Sequence, residues 1–253
     1  LIMSVFSQQT YTNNDEATRG PQKINDHFNF TTIISSDIST TNSYSITTGG
    51  FYKLSGNLTS NGAGNGSIYV NGDQTIVDLN GGSITANSTS GIAINVANDV
   101  SEVTIRNGSI LNGTGSNVFD TAIQIGTGVS KVRIEDVTII GCAHANGAIK
   151  MVGTAMNPIV DVEMNNVTVI GGTVATAAIH INADYIHGLK LNNVHCTDGA
   201  NTNAGAFNGM KIQNSNSISG TNVSSKNHVG IDTTLAVEMV SCNSILFNGL
   251  DVS

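Results

Sequence analysis

An internal repeat constrains this sequence more than any other feature. A block of alternating apolar and polar residues, Val162-Glu163-Met164-Asn165-Asn166-Val167-Thr168-Val169 in one copy, recurs with starts 26 to 30 residues apart. Clear copies begin at residues 77, 103, 132, 162 and 189, and weaker copies begin at 218 and 245. Most copies follow a second short alternating segment, such as Ile149-Lys150-Met151. Alternation with period two indicates β-strands that bury one face.

Units of this length cannot bury their own apolar face, so the copies must stack to share one core. Two or three short strands per turn fit a coiled parallel β-solenoid, whereas propeller blades need about 40 residues and helical repeats need a 3.6-residue period. With an earlier turn at residues 51–54, the blocks predict an all-β fold, a single-stranded parallel β-helix of roughly eight rungs.

The fifth position of the block holds a residue that tolerates left-handed backbone geometry in every copy. The residues are Gly81, Asn107, Asp136, Asn166, Asn193, Asn222 and Gly249. We expect the chain to bend there and stacked Asn amides to hydrogen-bond from rung to rung. The five side chains at Asn107, Asp136, Asn166, Asn193 and Asn222 are therefore interpreted as a structural ladder and not as ligands.

Composition excludes several classes of partner. The net charge is −8 with only 10 Lys and Arg, which argues against nucleic acid because phosphate binding needs clustered cations. No apolar run approaches the roughly 18 residues of a membrane span. Cys142, Cys196 and Cys242 lack metal-ligand spacing, so neither a metal nor a cofactor is predicted. Cys196 occupies an apolar block position and is expected in the core.

The repeat also supports a resemblance to a known family. Gly50-Phe51-Tyr52-Lys53-Leu54-Ser55-Gly56-Asn57-Leu58 and Ile76-Val77-Asp78-Leu79-Asn80-Gly81-Gly82 look like the first turns of secreted β-helix proteins. From about residue 45 to 253, the chain resembles the right-handed parallel β-helix, or pectin-lyase-like, superfamily. The resemblance implies right-handed coiling, as does the usual crossover chirality. Members include polysaccharide lyases, hydrolases, tailspikes and adhesins, so the fold alone carries no activity.

Catalytic motifs of the superfamily are absent. The polygalacturonase-type branch is marked by Asn-Thr-Asp, Asp-Asp, Gly-His-Gly and Arg-Ile-Lys, none of which occurs here. Acid/base groups could still gather from different rungs, and the candidates are Lys150, Glu163, His180 and Lys211. In this interpretation Lys150, His180 and Lys211 line a groove for an acidic sugar, with His180 as acid or base.

Two outward columns of side chains follow from aligning the copies. The first strand of each rung is predicted to stack Gln124, Lys150, His180, Lys211 and Asp232. The second block position is predicted to stack Asp78, Thr104, Arg133, Glu163 and Lys190. A surface ladder of opposite charges is the alternative to a binding groove.

The two ends of the repeat suggest assembly. Residues 1–45 lie outside it and are expected to form an N-terminal capping segment or an assembly arm, with the β-helix over residues 46–253. The last copy, at residues 245–252, has no polar capping segment after it, although terminal repeats need one for solubility. We expect another molecule to cover this rung, or the chain to be a fragment. Head-to-tail stacking would give rings or filaments.

The sequence predicts a non-enzymatic structural protein that is extracellular or on a cell or virion surface and assembles end to end with copies of itself. One alternative is a polysaccharide lyase or glycoside hydrolase. Another is an adhesin or receptor-binding module for a host or cell-surface protein or glycan. The chain has no Trp and only 5% aromatic residues, which weighs against sugar binding because sugar sites use aromatic faces.

Overall fold

The computed structural model describes residues 30–38, 43–62, 65–88, 91–113, 117–142, 146–171, 173–174, 178–198, 200–201, 207–229 and 234–253. Residues Thr31–Ser253 form one compact unit. It is an all-β parallel solenoid of about seven turns, and the described residues contain no helix. The predicted fold class is thereby confirmed. Most of the predicted N-terminal capping segment, residues 1–29 and 39–42, lies outside the described residues, so that assignment stays a prediction.

Strands in the first part of the solenoid are short. They are β1 (Phe30–Ile33), β2 (Tyr44–Ile46), β3 (Gly50–Leu54), β4 (Leu58–Ser60), β5 (Ile68–Val70), β6 (Thr75–Asp78), β7 (Ser83–Ala86) and β8 (Ile92–Val96). Longer strands follow. They are β9 (Ser101–Leu111), β10 (Thr121–Ile125), β11 (Ser130–Ile140), β12 (Ile149–Val152), β13 (Ile159–Ile170), β14 (Thr173–Val174), β15 (Ala178–Asp184), β16 (Ile186–Thr197), β17 (Ala200–Asn201), β18 (Phe207–Gln213), β19 (Asn216–Lys226), β20 (Thr234–Val240) and β21 (Asn243–Val252).

Two parallel sheets form the walls. The long-strand sheet has 11 strands in the order β1-β3-β6-β9-β11-β13-β16-β19-β21, with β4 and β7 beside this path. The short-strand sheet has eight, in the order β2-β5-β8-β10-β12-β15-β18-β20, and β14 pairs with β17. Each rung thus contributes one strand to the short-strand sheet, which agrees with the predicted number of rungs.

Each of the long strands β9, β11, β13, β16, β19 and β21 contains two residues with positive φ, one near its start and one in its middle. In β13 they are Asp161, with φ of 55°, and Asn166, with φ of 53°, and the bend at Asn166 is the one that the sequence predicts. Val162 and Val167 lie on either side of the bend at Asn166, and both are buried. At the bend, Asn165 and Asn166 both point outward, so the next residue, Val167, faces the core again. One continuous strand therefore lines two sides of the core.

The core is a set of apolar columns that run along the solenoid. Val103, Val132, Val162 and Leu189 stack in register and are 0–1% exposed. Cys196 is also fully buried, as predicted, and burial raises the pKa of its thiol well above the ordinary value.

Candidate functional site

The rung formed by β20 and β21, here called the end rung, is the outermost layer of both sheets at one end. Ile245 and Leu250 stack on Ile218 and Val223 of the preceding rung. Ile218 and Val223 are 1% exposed, whereas Ile245 is 43% and Leu250 39% exposed. Among the described residues, nothing covers the apolar core at the end rung.

Two hollows open on this face. One, of about 360 Å³, is lined by Ala236, Val237, Met239, Leu250 and Val252. The other, of about 340 Å³, is lined by His228, Ala236, Val252 and Ser253. The linings are mostly apolar, so these hollows suit the side chains of another β-rung better than a charged small molecule.

A polar corner lies beside the second hollow. Ser225 Oγ donates a hydrogen bond to the carbonyl oxygen of Ala236 at 2.6 Å and lies 2.9 Å from His228 Nε2. Because the only proton of the hydroxyl goes to Ala236, His228 must donate to Ser225. A serine nucleophile would need the opposite polarity, with the hydroxyl donating to the histidine. This Ser–His contact is therefore structural in the geometry observed.

His180 packs in the same corner. Its ring meets that of His228 edge to face, with centroids 5.2 Å apart, and its Nε2 lies 2.8 Å from the carbonyl oxygen of Gly171. Burial lowers the pKa of both histidines to about 4. A Cβ at Gly209 would overlap Ser225 Oγ and His228 Nε2, so the corner requires glycine there.

The predicted outward placement of His180 is wrong. In the register of the short-strand sheet, Lys150 pairs with Asn182, and Asn182 pairs with Lys211. Asn182 lies two residues after His180 in β15. His180 instead occupies the same register position as the small residues Ala148 and Gly209 of the neighbouring rungs. Its side chain is 0% exposed. The basic groove of Lys150, His180 and Lys211 therefore does not form. Asp232, from the same predicted column, lies outside the described residues.

Glu163, the remaining catalytic candidate, lies on the long-strand sheet, whereas Lys150 and Lys211 lie on the short-strand sheet. The structure thus does not bring the four candidates together. The predicted column of Thr104, Arg133, Glu163 and Lys190 is in register.

The predicted place of Asp78 in that column is wrong. Asp78 is level with Arg106, not Thr104, and Arg106 Nε lies 2.9 Å from its Oδ2. Val77 pairs with Ile105, and Ser83 pairs with Ser109. The segment between Val77 and Ser83, which contains the turn at residues 79–82, is therefore two residues longer than the segment between Ile105 and Ser109 in the next rung. Because of these two extra residues, the copy that starts at Val77 pairs with the next copy two residues after its start at Val103.

A charged groove of about 300 Å³ follows this column. Its polar lining comes from Lys131, Arg133, Asp161, Glu163 and Lys190. Arg133 Nε lies 3.6 Å from Glu163 Oε2, and Lys131 Nζ lies 2.8 Å from the Glu102 carboxylate. The hydrogen bond between them raises the pKa of Lys131 and lowers that of Glu102. These ion pairs are largely solvent-exposed, which is typical of a surface ladder that contributes little stability.

The five ladder residues lie in one column, each with positive φ. Amide nitrogens donate to the preceding rung at 2.9 Å from Asn166 to Asp136, 2.7 Å from Asn193 to Asn166, and 2.6 Å from Asn222 to Asn193. Asn107 Nδ2 donates to the Asp78 carboxylate at 3.2 Å. The side chains of Asp136, Asn166, Asn193 and Asn222 thus bind one another and tie their consecutive rungs together.

Sequence reasoning missed the polar corner. Ser225 takes a buried position in the alternating pattern of β19, whereas His228 follows the end of that strand and lies outside the pattern. A third histidine, His195, has a hydrogen-bonding partner at each ring nitrogen. Its Nδ1 lies 2.7 Å from Ser224 Oγ, and its Nε2 lies 2.9 Å from Asn193 Oδ1. No sequence signal distinguishes the two environments.

No family model, curated protein or solved structure matches this chain. Among the described residues, no group of three or more His, Cys, Asp or Glu side chains could hold a metal ion. In that same part of the chain, no helix is long and apolar enough to cross a membrane.

Proposed function

We propose that this chain is a non-catalytic structural solenoid of the right-handed parallel β-helix superfamily, placed outside the cell or on a cell or virion surface, which joins copies of itself through the end rung. The exposed apolar core of the end rung carries the proposal. Ile245, Leu250 and Val252 are 39–50% exposed, although their counterparts one rung inward are 0–1% exposed. Covering each of them would contribute about 1 kcal/mol of hydrophobic free energy.

The backbone of the end rung supports the same proposal. β20 has seven residues and β21 has ten, and neither contains Pro or Lys. Edge strands of this length without such residues are templates for pairing with another chain. A second copy offers strands of the same kind.

Self-association through the end rung is testable by light scattering over a range of concentrations. We expect the wild-type mass to rise above that of one chain, and Val252→Lys to remain a monomer because a lysine ammonium cannot be buried at the contact. Met156→Lys is the matched control, since Met156 is 97% exposed and lies in the loop before β13. A wild-type chain that stays monomeric at every concentration would overturn the proposal.

A polysaccharide lyase or hydrolase is the second candidate, and the charged groove is the observation that favours it. Asp161 and Glu163 both line the groove with three basic side chains, and paired carboxylates are the usual groups of glycoside hydrolysis. Cleavage of an acidic polysaccharide by the wild type, with loss of cleavage in Glu163→Gln, would establish this function. Equal inactivity of both proteins against a polysaccharide panel would exclude it for those substrates.

A further inference from the structure

Three side chains of different chemistry meet where β18 pairs with β20. Lys211 pairs with Glu238 in the register of the short-strand sheet, and Asn208 lies three residues before Lys211 in β18. Glu238 Oε2 accepts a hydrogen bond from Asn208 Nδ2 at 2.6 Å and lies 3.7 Å from Lys211 Nζ. One carboxylate oxygen therefore holds a primary amide and a primary amine beside each other.

The backbone of β18 places Asn208 and Lys211 on the same side of the sheet. Both residues between them face the interior, since a Cβ at Gly209 would overlap the buried Ser225 side chain and Met210 is 0% exposed. In a regular strand, residues three apart point to opposite faces. Two consecutive inward residues cancel this alternation, so the side chains of Asn208 and Lys211 can meet on the outer face.

The cluster is partly withdrawn from water. Asn208 is 7% exposed, and the side chains of Lys211 and Glu238 are 27% and 25% exposed. Among the described residues, the buried oxygen Asn208 Oδ1 has no hydrogen-bond partner. Buried polar atoms without a partner are uncommon in folded proteins, and some of them belong to reactive sites. An amine, an amide carbon and a group that can carry protons are therefore held together with little water around the amide.

We propose that the side chains of Asn208 and Lys211 join in an intramolecular isopeptide bond, with Glu238 as acid and base. A lysine amine is a nucleophile once it loses its proton, and Glu238, its ion-pair partner, accepts that proton. Holding the reacting groups in one place replaces the high concentrations that this reaction needs in solution. The reaction goes beyond the proposed function and requires no second copy of the chain.

The atoms and charges of the reaction balance without a cofactor. Lys211 Nζ forms a bond to Cγ of Asn208, and the bond between Cγ and Nδ2 breaks. Nζ begins with three protons and ends with one, and Glu238 carries the other two in turn to Nδ2. The released nitrogen leaves as ammonium, so the positive charge of Lys211 leaves with it and Glu238 ends as the carboxylate that it was at the start.

Intact-mass spectrometry of the full chain tests the bond. After incubation at neutral pH, we expect wild type to be lighter than its sequence mass by about 17 Da, the mass of one ammonia. Because trypsin does not cleave after a lysine whose amine is acylated, residues 191–226 should appear as one peptide that carries this loss. A wild-type chain that keeps its full mass would overturn the proposal.

Two conservative variants assign the roles of the side chains. Lys211→Arg keeps a positive charge beside Glu238 but should retain the full mass, and Glu238→Gln should slow the loss of mass at least tenfold. Lys150→Arg is the matched control, because Lys150 lies in the same sheet two rungs from Lys211 and should leave the reaction unchanged. Circular dichroism melting of each variant confirms that it is folded.

A cyclic imide at Asn208 would also release one ammonia, but its outcomes differ. In that reaction the backbone nitrogen of Gly209 attacks Cγ, and Lys211 takes no part. A loss of mass that persists in folded Lys211→Arg, or that leaves tryptic cleavage after Lys211 intact in wild type, would therefore overturn the isopeptide bond. If Lys211→Arg does not fold, the tryptic peptides of wild type decide alone.

Discussion

His180 shows at the residue scale how a polar side chain is kept inside this solenoid. It is 0% exposed, and its contacts include the Gly171 carbonyl oxygen and the ring of His228. Burial, the largest cause, lowers the pKa of His180 to about 4. The hydrogen bond to Gly171 acts in the opposite direction and raises this pKa, whereas the neighbouring His228 lowers it further.

This pKa predicts a loss of stability in acid. The unfolded chain takes up a proton at His180 near pH 6.5 and the folded chain near pH 4, so the free energy of unfolding falls as pH falls between these values. A shift of this size corresponds to about 3 kcal/mol. Urea unfolding at pH 7 and pH 4 should therefore show a smaller decrease for His180→Ala than for wild type.

His187→Ala, at a half-buried position of β16, controls for the loss of a histidine in general. Comparing variants at each pH removes the contribution of the carboxylates, which is common to all of them. If wild type and His180→Ala lose the same free energy between the two pH values, the assigned environment of His180 is wrong.

At the scale of the element, the bend in the long strands depends on the ladder residue. Asn193 has φ of 54°, donates to Asn166 and accepts from Asn222 and from His195 Nε2. An alanine with left-handed φ costs about 1–2 kcal/mol, and each lost hydrogen bond costs about 1 kcal/mol. The ladder side chain therefore supports both the turn within its strand and the contact between rungs.

Two substitutions separate these contributions. We expect Asn193→Ala to lower the free energy of unfolding by about 4–5 kcal/mol in urea, and Asn193→Gly by about 3 kcal/mol, because both variants lose the three side-chain hydrogen bonds but glycine accepts the positive φ. Equal destabilisation by the two variants would mean that the bend imposes no backbone cost.

The element scale also explains what the sequence could predict. Alternation and the recurring Asn are local signals, so the stacked strands and the bend position could be read directly. The register of His180 and of Asp78 could not be predicted from the sequence, because a shift of two residues between strands leaves a period-two pattern unchanged. Variable turns, such as residues 79–82, produce such slips. The polar corner depends on contacts between rungs, which no single copy of the repeat contains.

At the scale of the whole molecule, the described strands pair with strands of the adjacent rungs, so stability is approximately a sum of rung and interface contributions. Among the described residues, the end rung packs against one rung, which contains β18 and β19. Association through the end rung would add a second neighbour. The stability of β20 and β21 should therefore increase directly with association.

Hydrogen exchange at several protein concentrations tests this link most directly. We predict that amides of β20 and β21 exchange faster than those of β13 and β16 in dilute protein. At high concentration they should become protected at least tenfold, while the interior strands β13 and β16 remain unchanged. Exchange in β20 and β21 that does not depend on concentration, in a sample shown to associate, would contradict the account because the contact would lie on another surface.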